Sequence, residues 1–206
     1  MQEHAKKPAI RFKGFTDDWE QRKADSVGYY TKGNGYSKAD LTGDGMPIIL
    51  YGRLYTNYSF YIDRVDTFVG EIKSCVYSEG GEVIVPASGE TAEDIARASA
   101  VLLKGVLLGG DLNILNLNSE YDSKFIALLL SNGNTKKELS KCAQGKSVVH
   151  IHNSDIQKLL LMIPIREEQR KIAELFTSLD RLITLHQRKL EKLQNLKQAC
   201  LEKLFV

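Results

Sequence analysis

From Arg166 to Val206 apolar side chains recur at Ile172, Phe176, Leu179, Ile183, Leu190, Leu193 and Leu204, in alternating steps of four and three, with His186, Lys197 and Cys200 at the remaining seam positions. That spacing is a heptad stripe along one face of a helix. Leu175, Leu182 and Leu196 widen it on one side, and Arg170, Lys171, Arg181, Arg188, Lys189 and Lys192 cover the rest of the surface. No proline or glycine interrupts the segment. One helix is therefore predicted over 166–206, about 60 Å long at roughly 1.5 Å per residue. A single protomer cannot bury so long a stripe, so a second helix, from another copy or another protein, is expected to cover it. Pro164 suits the start, where its missing N–H would lack a partner, and Glu167 and Glu168 put negative charge in the first turn.

Ahead of the helix the pattern is mixed. Residues 1–23 read as a lead-in anchored by Trp19, and the glycine- and tyrosine-rich stretch "GYYTKGNGYSKADLTGDGMP" reads as a long loop closed by Pro47. "IILYG" is a short buried strand, and "FVGEIKSCVYSEGGEVIVP" predicts two strands joined at Gly80 and Gly81. Thr91 and Asp94 have capping-box spacing ahead of a short helix, followed by the apolar run "AVLLKGVLLGG" and the strand "LNILNL". Ser119 with Asp122 opens a helix over "KFIALLLS" that stops at Asn132 and Gly133, and Thr135 with Glu138 caps "KKELSKCA". "VVHIH", a turn at Asn153 to Asp155, and "KLLLMIPI" complete an α/β (α+β) domain over residues 1–165.

Composition adds little until it is divided along the chain. The formal net charge is +2. Residues 63–122 hold eleven acidic and four basic side chains, 123–165 two and six, and 166–206 six and nine. Basic charge gathers late, where local lysines and arginines would meet a polyanion. Cys75, Cys142 and Cys200 are odd in number and widely spaced, which argues against a disulfide framework or a thiolate zinc site. The N-terminal residues lack the apolar core of a signal peptide and no apolar run is long enough to span a bilayer, so a cytoplasmic protein is expected.

Catalytic signals are sparse. His150 and His152 share a strand face and with Cys142 make a metal set without a fourth ligand. Cys142 with His150 also leaves a small cysteine hydrolase as an alternative, although no local signature surrounds the pair. "LGGDLN" lacks the spacing that cradles phosphates and reads as a turn between strands, one that can face a ligand. No Asp/Asn-Pro-Pro-aromatic stretch of an adenine methylase is present. No metal, no cofactor and no catalytic residue is assigned.

Three loops are rich in groups that contact nucleic acid. The first offers Tyr30, Lys32, Asn34, Tyr36, Ser37 and Lys38, beside Tyr29; the second offers Arg53, Tyr55 and Asn57, beside Tyr58; the third offers Lys136, Lys137, Lys141, Gln144, Lys146 and Ser147. Arginine and asparagine make bidentate contacts to base edges, while lysine, serine and tyrosine hold phosphates. A coiled-coil adaptor that binds protein rather than DNA is the alternative reading of the same chain.

The lead-in "PAIRFKGFTDDWEQRK", the segments "GGDLNIL" and "AQGKSVVHIHNSDIQKLLLMIPI", and above all "PIREEQRKIAELFTSLDRLI" resemble specificity subunits of type I restriction–modification systems. The resemblance implies one target-recognition domain and one spacer helix, where full members carry two such pairs with the helices antiparallel as a ruler. A half-sized subunit, a truncated product or an excised fragment all fit. It also implies a non-catalytic chain with double-stranded DNA, a methyltransferase subunit, a restriction subunit and a second copy of itself as partners. S-adenosylmethionine, ATP and Mg would then belong to the partner subunits.

Overall fold

The computed structural model describes residues 7–70 and 76–205. Strand β1 (Glu20–Lys23) leads through a 3-10 turn into β2 (Gly28–Lys32), and β3 (Leu41–Thr42) and β4 (Met46–Ile49) follow. A single-turn helix α1 (Arg53–Thr56) precedes β5 (Tyr61–Ile62), β6 (Phe68–Val69) and β7 (Val76–Tyr77). Next come β8 (Glu82–Pro86), β9 (Ser88–Gly89), α2 (Ala92–Ile95), β10 (Ser99–Val101), β11 (Leu107–Leu108) and β12 (Leu112–Leu117). The last part holds α3 (Ser123–Ser131), α4 (Gly133–Lys141), β13 (Val149–His150), α5 (Asn153–Ile156), β14 (Leu160–Ile163) and the long α6 (Arg166–Leu204).

Among the described residues, two five-stranded sheets form the body, ordered β2-β12-β8-β10-β5 and β3-β6-β4-β11-β7. Both are mixed, with β10 parallel to β5 and β11 parallel to β4. The unbroken apolar run of β8 follows from burial on both faces. Val83 and Val85 point into a core shared with Phe125, Ile126 and Leu130 of α3, while Ile84 points the other way, towards Ile49 and Leu108 of the second sheet. Leu115 and Ile114 of β12 divide between the same two cores.

The α/β architecture matches the sequence expectation, and several local elements differ from it. Residues 28–32, expected as loop, are a strand paired with β12 from Gly28↔Leu117 to Lys32↔Asn113. Gly28 serves close approach there, since a Cβ would stand 2.0 Å from the Asn116 carbonyl oxygen. Residues 53–56 and 153–156 form single helical turns, too short to show a period. Asp122, whose side chain accepts from the Phe125 N–H, caps α3, and Thr135 lies inside α4 rather than at its start. "VVHIH" contributes only Val149 and His150 as a strand. Part of the expected strand pair over 68–86, with Cys75, lies outside the described residues, as do residues 1–6 and Val206.

Helix α6 is rooted by both ends of the body. β1 pairs antiparallel with β14, from Glu20↔Ile163 to Lys23↔Leu160, so the lead-in holds the strand that launches the helix. The Arg11 guanidinium donates to both oxygens of Glu168 at 2.7 and 2.8 Å, and Glu168 is buried. The Gln169 side chain accepts the Asp122 N–H at 2.9 Å and donates to the Pro164 carbonyl at 2.9 Å. Gln169, Ala173 and Thr177 are buried and four residues apart, so they line one face of the helix. The heptad stripe lies about 100° round the axis from them, at roughly 100° per residue. Docking therefore packs Ile172 partly on the body and leaves the stripe open from Phe176 outward. Every residue from 181 to 205 is exposed, and about 36 Å of helix, at roughly 1.5 Å per residue, stands clear of the body.

Candidate nucleic-acid interface

The first two loops close on one groove of about 830 Å³. Its walls include Ser37 and Lys38 from the first, Tyr51, Arg53 and Asn57 from the second, and Asp111 from the β11–β12 turn. The first loop leaves β2 at Gly33, which is packed on the Gly109 carbonyl, and Asn34 N–H donates to the Leu108 carbonyl at 3.1 Å. Ser37 then caps a 3-10 turn, its N–H and hydroxyl both donating to Asp40 at 2.8 and 2.9 Å. Lys32, Asn34, Ser37 and Lys38 are left exposed.

Two tyrosines of that loop turn inward instead. Tyr30 donates its hydroxyl to the Ala24 carbonyl at 2.9 Å, and burial pushes its phenol well up. Tyr36 is 3% exposed and packs with Ile48, Val69 and Leu107. Glycine and tyrosine together suit an open loop and a tight turn on a core equally, so composition could not separate these roles.

The second loop is a helical turn held from below by buried Leu54. Arg53, proposed from sequence as a base reader, donates to Asp66 at 2.8 Å and to the Arg64 carbonyl at 3.2 Å, with its side chain 13% exposed. It braces the groove wall. Tyr55 donates to the Ser88 carbonyl at 2.8 Å beneath the Arg97 guanidinium, 5.1 Å from the ring, and burial raises its hydroxyl to about 12. Asn57 and Tyr51 remain as the exposed polar edge.

The third loop is divided. Lys136 lines a second groove, beside Tyr58, Arg97 and the root of α6. Lys137, Lys146 and Ser147 face solvent, and Lys141 pairs with Glu138 at 2.8 Å. Gln144 and His150 exchange backbone hydrogen bonds at 3.0 and 2.8 Å, closing the loop across Gly145. His150 Nδ1 lies 3.1 Å from Ser88 Oγ, so this loop meets the strand that also receives Tyr55.

Sequence reasoning missed Asp66 and Thr67 on the first groove. The one available signal was "GGDL", expected as a turn between strands facing a ligand; Asp111 there adopts φ +57° and lines the groove.

The cysteine hydrolase alternative finds no support. Cys142 Sγ donates to the Glu138 carbonyl at 3.3 Å, burial pushes the thiol up, and His150 is engaged with Ser88. Among the described residues no three His, Cys, Asp or Glu side chains gather as metal ligands. Changing Cys142 to serine is accordingly expected to leave the melting temperature close to the parent's in a thermal melt, since a substitution of this kind usually stays within about 0.5 kcal/mol. Among the described residues no helix is long and apolar enough to cross a membrane.

The family model "Type I restriction modification DNA specificity domain" matches residues 16–195. The type I restriction–modification S subunit from M. genitalium aligns at 19% identity and a TM-score of 0.54, over 80% of this chain and 39% of that one. The HsdS subunit from Thermoanaerobacter tengcongensis aligns at 15% identity and 0.56, over 88% and 41%. A chain from a structure of type I R-M complex assembly and conformational transition aligns at 16% identity and 0.58, over 85% and 42%. At these identities the likeness is one of fold, and this chain spans about two fifths of the length of those structures. No curated protein matches.

Proposed function

The chain belongs to the family of type I restriction–modification DNA specificity domains, and from that premise we propose that residues 1–165 read DNA sequence and residues 166–206 space that reader from a second one. The observation that carries this is α6: clamped at Glu168 and Gln169, then clear of the body with its apolar stripe uncovered. A rigid root and an open stripe are what a spacer needs, since the angle at the root sets where the paired domains stand.

On this reading the protein is non-catalytic. It places a methyltransferase subunit, and through it a restriction subunit, on a split DNA site, with S-adenosylmethionine, ATP and Mg acting on those partners. Asn57 is the side chain in the first groove best suited to a base edge, and Lys38 to a phosphate. Lys137 and Lys146 add sequence-independent, salt-sensitive attraction. Two paired readers favour an interrupted, two-fold related site, because protein symmetry is mirrored in the DNA.

The test is co-expression with a type I methyltransferase subunit, followed by mapping of methylated adenines. A discrete bipartite motif is expected; a complex that forms and methylates no defined sequence overturns the proposal. Within that assay Asn57→Ala is expected to relax one motif position by about 1–3 kcal/mol of discrimination. Lys38→Ala is expected to weaken all sites alike and to reduce the salt slope of binding by about 0.9.

A further inference from the structure

Most polar side chains on the wall of the first groove are tied to the protein itself. Ser37 donates to Asp40, Arg53 to Asp66, Thr56 to the Gly52 carbonyl at 3.2 Å and Thr67 to the Ile48 carbonyl at 2.6 Å. Among the described residues no hydrogen bond or ion pair reaches the side chains of Lys38, Asn57 and Asp111, and all three are exposed on the groove. A cation and an amide are ordinary equipment for contacting DNA. A carboxylate is not, because phosphate oxygens repel it, and it suits such an interface only where it meets a donor.

The turn that carries Asp111 is held on three sides. The Gly109 N–H donates to the Ile49 carbonyl at 2.9 Å, the Leu112 carbonyl accepts from the Gly33 N–H at 2.9 Å, and the Asp111 carbonyl accepts from the Ala87 N–H at 2.8 Å. Among the described residues Asp111 is the one non-glycine with positive φ, at +57°. Aspartate visits that region when its side chain bonds to nearby backbone, and this one makes no such bond. Glycine adopts the same φ freely, and Gly109 and Gly110 stand directly before it. A side chain that strains its turn and contributes no bond to it points to a use outside the turn.

Deepening the reader assignment above, on which it rests, we propose that Asp111 is a specificity-determining residue that selects a G·C pair by accepting a hydrogen bond from the cytosine N4 amine in the major groove. Cytosine is the base that this carboxylate fits. It offers a donor with no acceptor beside it, whereas adenine sets N7 next to its N6 amine, guanine presents N7 and O6, and thymine presents O4. A carboxylate without a paired cation repels those acceptors, so the same side chain rejects the wrong bases. With the turn already fixed, only the side-chain torsions are left to order on binding. Lys38 then holds a phosphate and Asn57 reads a further base edge, so the three untied side chains divide the contacts.

The test compares Asp111→Asn and Asp111→Gly with the parent, each co-expressed with a type I methyltransferase subunit, by mapping methylated adenines and by thermal melts. Both replacements suit a left-handed turn, so both variants are expected to melt no lower than the parent. In each, one G·C position of the motif is expected to lose about 5- to 140-fold of its preference for cytosine, with the other positions unchanged. A parent motif that passes unchanged into both variants, or a relaxed position that is an A·T pair, overturns the cytosine contact and leaves the reader assignment standing. Variants that melt well below the parent assign Asp111 to the turn and overturn the contact as well. A parent that forms its complex and methylates no defined sequence overturns both.

Discussion

The Glu168→Ala protein is expected to melt about 6–20 °C below the parent, the range given by the loss of one partner from a buried ion pair. The size comes from what remains. Glu168 is 1% exposed and accepts from two nitrogens of Arg11, so alanine leaves a guanidinium that is itself only 14% exposed without that partner. The effect is also directional. Arg11 lies in the lead-in and Glu168 in the first turn of α6, so losing the pair frees the helix from one of its two moorings while β1 and β14 stay paired. Glu168→Gln retains a hydrogen-bonding amide and is expected to lose less. Joint replacement of Arg11 and Glu168 by methionine removes both charges together and is expected to recover most of the melting temperature. Thermal melts check the magnitude, and limited proteolysis near residues 164–178 checks the direction. A Glu168→Ala protein that melts with the parent would show that the pair does not moor the helix.

That pair also marks what the sequence could reveal. The helix was legible because its pattern repeats over many turns, and repetition outweighs any single ambiguous residue. Glu168 was legible only as a first-turn residue favoured by the helix dipole, and Gln169 only as part of the stretch "PIREEQRKIAELFTSLDRLI". Their actual partners, Arg11 and the Asp122 N–H, lie 157 and 47 positions away, and periodicity carries no information about contacts so distant. Strands such as β11 and β13 have two residues each, below the length at which alternation can be counted. The interface followed the same rule. Lys38 and Asn57 were named and do share the first groove, whereas Tyr30 and Tyr36, named on composition, are held by Ala24 and by the small cluster of Ile48, Val69 and Leu107. Arg53 had the right chemistry for a base edge, and only its ties to Asp66 and the Arg64 carbonyl assign it to the wall.

Gly33→Ala is expected to lower the melting temperature by about 6–12 °C, from overpacking and strained hydrogen bonds that together cost about 3 kcal/mol, and to abolish sequence-directed binding in the fraction that folds. A Cβ at Gly33 would stand 1.8 Å from the Gly109 carbonyl oxygen, a backbone atom that no side-chain rotation can move aside. Gly109 has no room either: a Cβ of its own would meet Leu50 at 2.4 Å, and its N–H donates to the Ile49 carbonyl at 2.9 Å. Gly33, Gly109 and the end of β4 are therefore stacked in contact, and the first and second loops spring from the two outer layers. Pushing Gly33 outward stretches its own bond to the Leu112 carbonyl, 2.9 Å, and that of Asn34 to the Leu108 carbonyl. The spacing between Lys38 and Asn57 across the groove is thus set by two missing methyl groups. Gly52→Ala supplies the control. It lies at the mouth of the same groove with φ −57°, and a Cβ there would meet no atom within 4 Å, so its melt and motif are expected to match the parent. Equal behaviour of the two variants in thermal melts and methylation mapping would show that the loop spacing does not depend on the glycine contact.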